Sequence, residues 1–408
     1  MRTVILSHYF HPEIGAPSAR LHSLARELSR LGHAVTVVTC FPNHPTGVIP
    51  EEYRGRWTAD ERLDGFRVLR VRVYAAPNEG VFRKTLGHLS FMATSVLLGG
   101  PRLGKADVIV ASSPTLFSVL SAWALSVLKG VPFVFEVRDL WPAVFAELGV
   151  VKNRRVLGAL EALEMFLYRR SAAVVTVTES FRDILVRRGV PEGKVTAILN
   201  GVDLEDFTPG PPDDAILGDL AARGKFVVLY MGALGLSHAL ERVLDCAKAL
   251  SSFEDLLFVF VGEGARKAAL MEQARGLGLR NIRFVKGQPR ERVLSFYRSA
   301  DVCLVPLKDI PLFETFIPSK MFEIMGCGRP IVASVRGEAA RLLEASGAAV
   351  VVAPEDIQAM GRAILGLRGD AAKRREMGAK GRDFVEKGFD RRDAARRYAE
   401  LLRGLVRA

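Results

Sequence analysis

The run Pro318-Ser319-Lys320-Met321-Phe322-Glu323, closed by Gly326 and Gly328, has residue types suited to holding an anion beside hydroxyl groups. A proline at the start of a helix loses nothing by lacking an N–H, since the first-turn donors have no partner inside the helix. Those donors and the positive end of the helix dipole attract a phosphate. Lys320 adds a mobile positive charge. Glu323, one turn on, could accept hydrogen bonds from ribose hydroxyls. A capped helix with a solvated lysine explains the same residues, so this block alone leaves both readings open.

Other blocks raise the same question. Tyr230-Met231-Gly232, Val261-Gly262-Glu263-Gly264 with Lys267, and Val285-Lys286-Gly287 each run from an apolar strand into a glycine turn. Such turns let backbone amides approach a ligand closely. One alone is weak; following consecutive strands, they could line one rim where a nucleotide would lie. In the first half, the segment His8–Arg20 follows an apolar strand, and its Gly15 and Arg20 could meet a sugar or phosphate. Its two histidines have no partners at metal-ligand spacing, and no Asp-x-Asp motif occurs, so no metal is expected. Arg138, Asp139 and Trp141 also follow an apolar strand, which suits either an active-site rim or a salt-bridged one.

The elements that must position these residues alternate. Apolar strands are expected at Val4–Leu6, Ala34–Thr39, Phe66–Val73, Asp107–Ala111 and Phe133–Val137, with helices at Ser18–Leu31 and Pro114–Lys129. After the turn-rich stretch 207–214 a second series begins, with strands at Lys225–Met231, Leu256–Val261, Ile282–Val285, Val302–Pro306, Ile331–Ser334 and Val350–Ala353. The pattern implies two doubly wound α/β halves with parallel sheets, whose ligands sit beyond the carboxyl ends of the strands. The 408 residues suit two domains of roughly 200 each. Hydrophobic residues at 49% give a large core.

Four cysteines, none closely spaced, point to a reducing compartment rather than a disulfide framework. The start reads as a buried strand rather than a signal peptide, and no apolar run reaches the roughly 18 residues of a spanning helix. The net charge of +12 favours anionic partners. Charge alone would also suit a nucleic-acid binder, but no aromatic–basic platform or reading helix accompanies it. Arg56, Trp57, Phe82-Arg83-Lys84, His88, Phe91 and Met92 interleave cations with large apolar residues, as a peripheral membrane face would; a basic surface over a buried helix would read alike.

Together these blocks resemble the family 4 glycosyltransferases, of GT-B fold, over essentially the whole chain. The carrying residues are Gly32–Thr39, Asn200-Gly201-Val202-Asp203 with Phe207 and Pro209, Gly262-Glu263-Gly264 with Lys267, Asp301-Val302 with Pro306, Pro318–Ser334, Gly337-Glu338 and Phe389. Within the family, Asp139–Pro142 and Pro318–Lys320 look most like enzymes of O-antigen, capsule or exopolysaccharide synthesis, some of which transfer acetamido or fucosamine-type sugars. The resemblance implies two Rossmann-like domains facing a cleft. Residues 1–207 would bind the acceptor and 208–389 a nucleotide-sugar donor, UDP-linked by preference. The helix 390–408 would pack back on the first domain.

It further implies a retaining, metal-independent, cytoplasmic enzyme without cofactor, acting at the inner-membrane surface on a saccharide or polyprenyl-diphosphate-linked acceptor, and no nucleic-acid partner. Lys320, Glu323 and Asp139 would be catalytic. Gly232, Gly262, Glu263, Gly264, Lys267, Gly287 and Pro318–Met321 would line the donor site with them, and Gly15, Arg20, Arg138 and Trp141 the acceptor side. Two departures stand out. The family's two glutamates are separated by seven residues, yet Thr315 occupies the first position, with Glu314 beside it. The family's arginine–lysine pair is replaced by Leu236-Ser237-His238. Diphosphate neutralisation then falls to Lys320, Lys267 and backbone amides. A transferase making a small soluble glycoside and a nucleotide-sugar 2-epimerase share this architecture.

Overall fold

Runs such as Leu256–Val261 are apolar on both faces, so they are stable only where helices cover both sides of a sheet. In the computed structural model they are so covered. It describes residues 1–44, 46–75, 81–113 and 115–407, so Pro114 and Ala408 of the expected helices lie outside the described residues. The chain divides into two units, Met1–Leu199 with Arg392–Ala408, and Asn200–Arg391.

The first unit carries β1 (Arg2–Leu6), β2 (Ala34–Cys40), β3 (Thr58–Leu63), β4 (Phe66–Val71), β5 (Val108–Ser112), β6 (Phe133–Val137), β7 (Ala173–Thr176) and β8 (Val195–Ala197). Their order in the sheet is β3-β4-β2-β1-β5-β6-β7-β8. Ile5 of β1 pairs with Val37 on one side and Val110 on the other. All neighbours are parallel except β3, which runs antiparallel to β4 and departs from the expected parallel sheet. Its polar sequence Thr-Ala-Asp-Glu-Arg-Leu suits a charged edge strand. The core packs Ile5, Leu21, Val37 and Val134 against Tyr398, Ala399 and Leu402 of the helix Arg391–Arg407.

The second unit carries β9 (Phe226–Met231), β10 (Leu256–Val261), β11 (Ile282–Val285), β12 (Val302–Pro306), β13 (Ile331–Ser334) and β14 (Ala349–Val352). Their order is β11-β10-β9-β12-β13-β14, all parallel. The break expected after residue 207 falls instead at Asn200. Phe207 is a core side chain of this unit, 2% exposed, and Arg382 donates to its carbonyl. Val202 forms a bridge to Asp390.

Each sheet has one place where the connections reverse direction, between β1 and β5 and between β9 and β12. A crevice opens at the carboxyl end of such a switch point, and ligands of doubly wound sheets bind there.

Candidate active site

At the second unit's switch point, β9 runs into Gly232, whose φ is 141°. A Cβ there would lie 2.8 Å from Lys320 Nζ. Lys320 comes from the start of the helix Lys320–Gly326, which follows β12 by a loop. Its ammonium is buried, makes no hydrogen bond, and stands 3.9 Å from the centroid of the Tyr230 ring. Tyr230 is itself fixed, since its hydroxyl donates to the Ala233 carbonyl at 2.6 Å. Burial pulls the Lys320 pKa down to about 7, the Glu323 carboxyl opposing the fall. His238 lies close by and donates to the Pro306 carbonyl at 3.4 Å. Burial, then Lys320, lowers its pKa to about 3, so it is neutral. A ring face is worth about 2 kcal/mol to a desolvated cation, less than the several kcal/mol lost with its water. An anion at this point would complete the site.

Glu323 is half-buried among Arg391, whose Nη2 is 3.7 Å from Oε1, and Tyr297, whose hydroxyl donates to Oε2 at 3.4 Å. Burial raises its pKa, Arg391 and Arg290 oppose the rise, and the net shift is upward. Both contacts are long, which leaves its oxygens able to accept further hydrogen bonds. Arg391 and Arg290 are in turn held by Asp203.

Three expectations for this unit change. Lys267 pairs with Glu263 at 2.8 Å, and the same Glu263 oxygen accepts the Gly287 N–H at 3.1 Å. The Lys267 charge is thus shared with its own loop, and Glu263 ties the turn at Gly264 to the turn at Gly287. Met321 is fully buried and belongs to the core. The helix start offers fewer donors than expected, because the N–H groups of Met321 and Phe322 bond the carbonyls of Pro318 and Ser319 in a tight turn. Pro318 and Ser319 are half-buried beside Lys320. Gly262, with φ 154°, fits for a packing reason, since a Cβ there would overlap the Gly232 carbonyl oxygen. Hydrogen bonds from Gly232 N–H to Val261 and from Gly262 N–H to Val285 extend the sheet into these turns.

In the first unit, Arg20 is buried and donates twice to Glu136, at 3.2 and 3.0 Å. Glu136 also accepts from Ser112 and Tyr398, both at 2.9 Å. Burial works to raise the Glu136 pKa, but Arg20, then Arg138 and Tyr398, hold it below the ordinary value. Arg20 therefore fastens the last helix and the sheet, and the acceptor-side role expected for it does not suit this enclosure. Gly15 precedes the helix Ala16–Arg30 with extended backbone. Arg138 and Asp139 follow β6, with Trp141 edge-on to Phe145 at 4.0 Å. Asp139 is half-buried; burial raises its pKa against the pull of Arg138. Of the residues suspected of a membrane face, Trp57 and Phe82 are exposed, at 61% and 75%, while His88 and Phe91 are buried.

Comparison with known proteins agrees with this architecture. The pattern of the glycosyl transferase 4-like domain matches residues 15–201, and that of glycosyl transferases group 1 matches residues 217–384. The chain belongs to the family 4 glycosyltransferases. It is 26% identical over 414 residues to WcaI of Escherichia coli (strain K12), named as a colanic acid biosynthesis glycosyl transferase, covering 99% of this chain and 100% of that one. It is 27% identical over 349 residues to a GDP-mannose-dependent alpha-mannosyltransferase of Mycolicibacterium smegmatis, covering 83% and 80%. Among solved structures, Anabaena HepE in complex with UDP and glucose superposes with a TM-score of 0.74 at 18% identity, covering 99% and 100%, and shares the GT-B fold.

For this glycosyltransferase, sequence reasoning meets Tyr230 and His238 only as members of a glycine turn and of the segment replacing the arginine–lysine pair, and assigns neither side chain a role. A tyrosine in an otherwise apolar strand just before a glycine turn is a usable signal, because its hydroxyl must find a partner. His238 is marked only by its place in the segment that replaces the arginine–lysine pair, and its contact with the Pro306 carbonyl follows from β9 and β12 being neighbours. Among the described residues no helix is long and apolar enough to cross a membrane.

Proposed function

We propose that this glycosyltransferase moves a sugar from a UDP-sugar, such as a UDP-N-acetylhexosamine or a fucosamine-type donor, to a lipid-linked saccharide in bacterial surface polysaccharide synthesis. The observation that carries the donor reading is the buried Lys320 ammonium, without a hydrogen bond, at the switch point of the second unit. The donor's diphosphate would take that position. The leaving group's growing charge would then be met by a cation already in place, and charge fixed in advance of the reaction lowers such barriers more than any other single effect. Glu323, with acceptor capacity to spare, would hold the ribose. The HepE complex with UDP and glucose supports a uridine donor, and the WcaI likeness a polysaccharide product.

Transfer would retain the anomeric configuration without a metal. The acceptor hydroxyl attacks on the face the diphosphate leaves, and its proton passes to the departing phosphate oxygen. Asp139 would orient the acceptor. Trp57 and Phe82, with Arg83 and Lys84 beside the latter, would rest this unit on an anionic bilayer at the cytoplasmic face of the inner membrane, which flotation with anionic liposomes tests.

A thermal-shift screen of UDP-, GDP- and ADP-sugars decides the donor, because a ligand that binds only the folded state raises its stability. Stabilisation by a UDP-sugar in the native protein and its loss in Lys320→Ala is the expected result. Stabilisation undiminished in Lys320→Ala would sink the assignment. Turnover of donor without any acceptor would indicate an epimerase instead.

A further inference from the structure

We propose that His8, Tyr9, His44, Lys84 and His88, gathered at the carboxyl ends of β1 and β2, form a second anion site that takes the phosphate or diphosphate of the acceptor. The proposal rests on the reading of the first unit as the acceptor side. His8 lies beside the switch point of its sheet, where β1 ends. Its ring centroid is 4.8 Å from Tyr9, 4.7 Å from His88 and 5.2 Å from Phe91. The Tyr9 hydroxyl is 3.3 Å from His88 Nε2, and the Tyr9 ring is 5.2 Å from His44. His8 and His88 are 6% and 7% exposed, and His8 Nδ1 is buried with no hydrogen-bond partner. His44 is half-buried and Lys84 exposed along its side chain, while partial burial of its ammonium lowers the Lys84 pKa.

The loop that carries His44 is fixed. Glu13 Oε1 accepts the backbone N–H groups of Asn43 and His44, each at 2.9 Å. Lys84 and His88 are on the helix Val81–Thr94. The cluster thus joins three separate elements. The other titratable groups nearby are Glu13, Cys40 and Arg70. Burial raises the Glu13 carboxyl and the Cys40 thiol toward their neutral forms, and Arg70 donates to Glu61.

Burial lowers the His8 pKa well below the ordinary value, with His88, His44 and Lys84 adding to it. Burial, then Lys84, brings His44 and His88 to about 4. The cluster is therefore a set of neutral imidazoles, a phenol and an ammonium. A phosphate entering it would meet donors at once and would favour protonation of the imidazoles. The bound state then holds more protons than the free state, so affinity rises as pH falls.

Titration calorimetry of the full chain with P1,P2-dimethyl diphosphate, which is esterified at both ends and does not itself titrate between pH 6 and pH 8, tests this, in the Lys320→Ala background so that the donor site contributes nothing. Binding should persist, tighten between pH 8 and pH 6, and take up protons, seen as a dependence of heat on buffer ionisation enthalpy. Lys84→Gln, at an exposed position, and His88→Gln should each weaken it by about tenfold, the worth of one charge-assisted hydrogen bond. At pH 8, geranyl diphosphate should bind at least as well as the dimethyl diphosphate if the ligand is a lipid-linked acceptor. No binding in Lys320→Ala, binding indifferent to both glutamine variants, or exclusion of geranyl diphosphate would overturn the proposal. Failure of every nucleotide sugar to bind would overturn the donor reading and leave this site standing.

Discussion

Two buried sets of charge, one in each unit, are built to opposite rules. Glu136 is enclosed by Arg20, Tyr398 and Ser112, and its carboxylate accepts from all three. Lys320 is enclosed by a tyrosine ring, a glycine and a neutral histidine, and its ammonium donates to nothing. The first set is complete within the chain and holds the last helix on the sheet. In the second, among the described residues, no hydrogen bond from the chain reaches the ammonium. A buried charge that the fold itself satisfies belongs to the scaffold, and one left open marks where a ligand of opposite sign belongs.

Removing a partner from each set should separate the two roles. Glu136→Ala strands the Arg20 guanidinium in a dry site, and breaking a buried pair in this way costs about 3–5 kcal/mol. All three tryptophans, Trp57, Trp123 and Trp141, lie in the first unit, so tryptophan fluorescence during urea unfolding reports that unit alone. A midpoint within error of the native value would mean that the set around Glu136 does not hold the unit together.

The matching change in the other unit should leave stability alone and remove activity. Lys320→Ala deletes a buried ammonium that has no hydrogen bond to lose, so the folded state should be as stable as before or more so. Sugar transfer should fall about 10²- to 10³-fold, as when one preorganised stabilising group is removed from an active site. The loss should appear in kcat as well as in KM, because the charge on the diphosphate grows toward the transition state. A variant that loses stability and keeps its turnover would reverse the two assignments.

How much of this contrast can be read from sequence follows from the range of the interactions. Apolar periodicity is local, so it places β6, β10, β11, β12 and β13 to the residue. It misses the edge strand β3, whose alternation is carried by charges rather than by apolar side chains, and the short strands β7 and β8. Lys320 and Glu323 share one turn of one helix, so their spacing is visible. Whether a lysine is committed is not: Lys267 looks as free as Lys320 until Glu263 is seen to claim it. Arg20 and Glu136 are 116 residues apart, and Tyr398 reaches Glu136 across 262. Only the sheet order brings such groups together, as it does His8, His44 and His88. The charged loops can therefore be located from sequence, but their division into scaffold and site cannot.

The smallest expected effect sharpens the comparison most, because it needs no mutation. With a pKa of about 7, the free Lys320 is half protonated at neutral pH. A bound diphosphate favours the ammonium and raises that pKa. Below pH 7 the free protein already carries the charge, so binding takes up no proton and affinity is flat. Above pH 7 a proton must be taken up, and affinity should fall by up to tenfold for each unit, about 1.4 kcal/mol. A UDP-sugar is the right probe, since its diphosphate is esterified at both ends and does not itself titrate in this range. The dependence should vanish in Lys320→Met, which keeps the length of the side chain without the charge. Glu136 predicts no such slope, because its pKa is held below the ordinary carboxylate value and its charge is constant from pH 6 to 9. A slope that survives in Lys320→Met would place the titrating group elsewhere and would make Lys320 part of the scaffold after all.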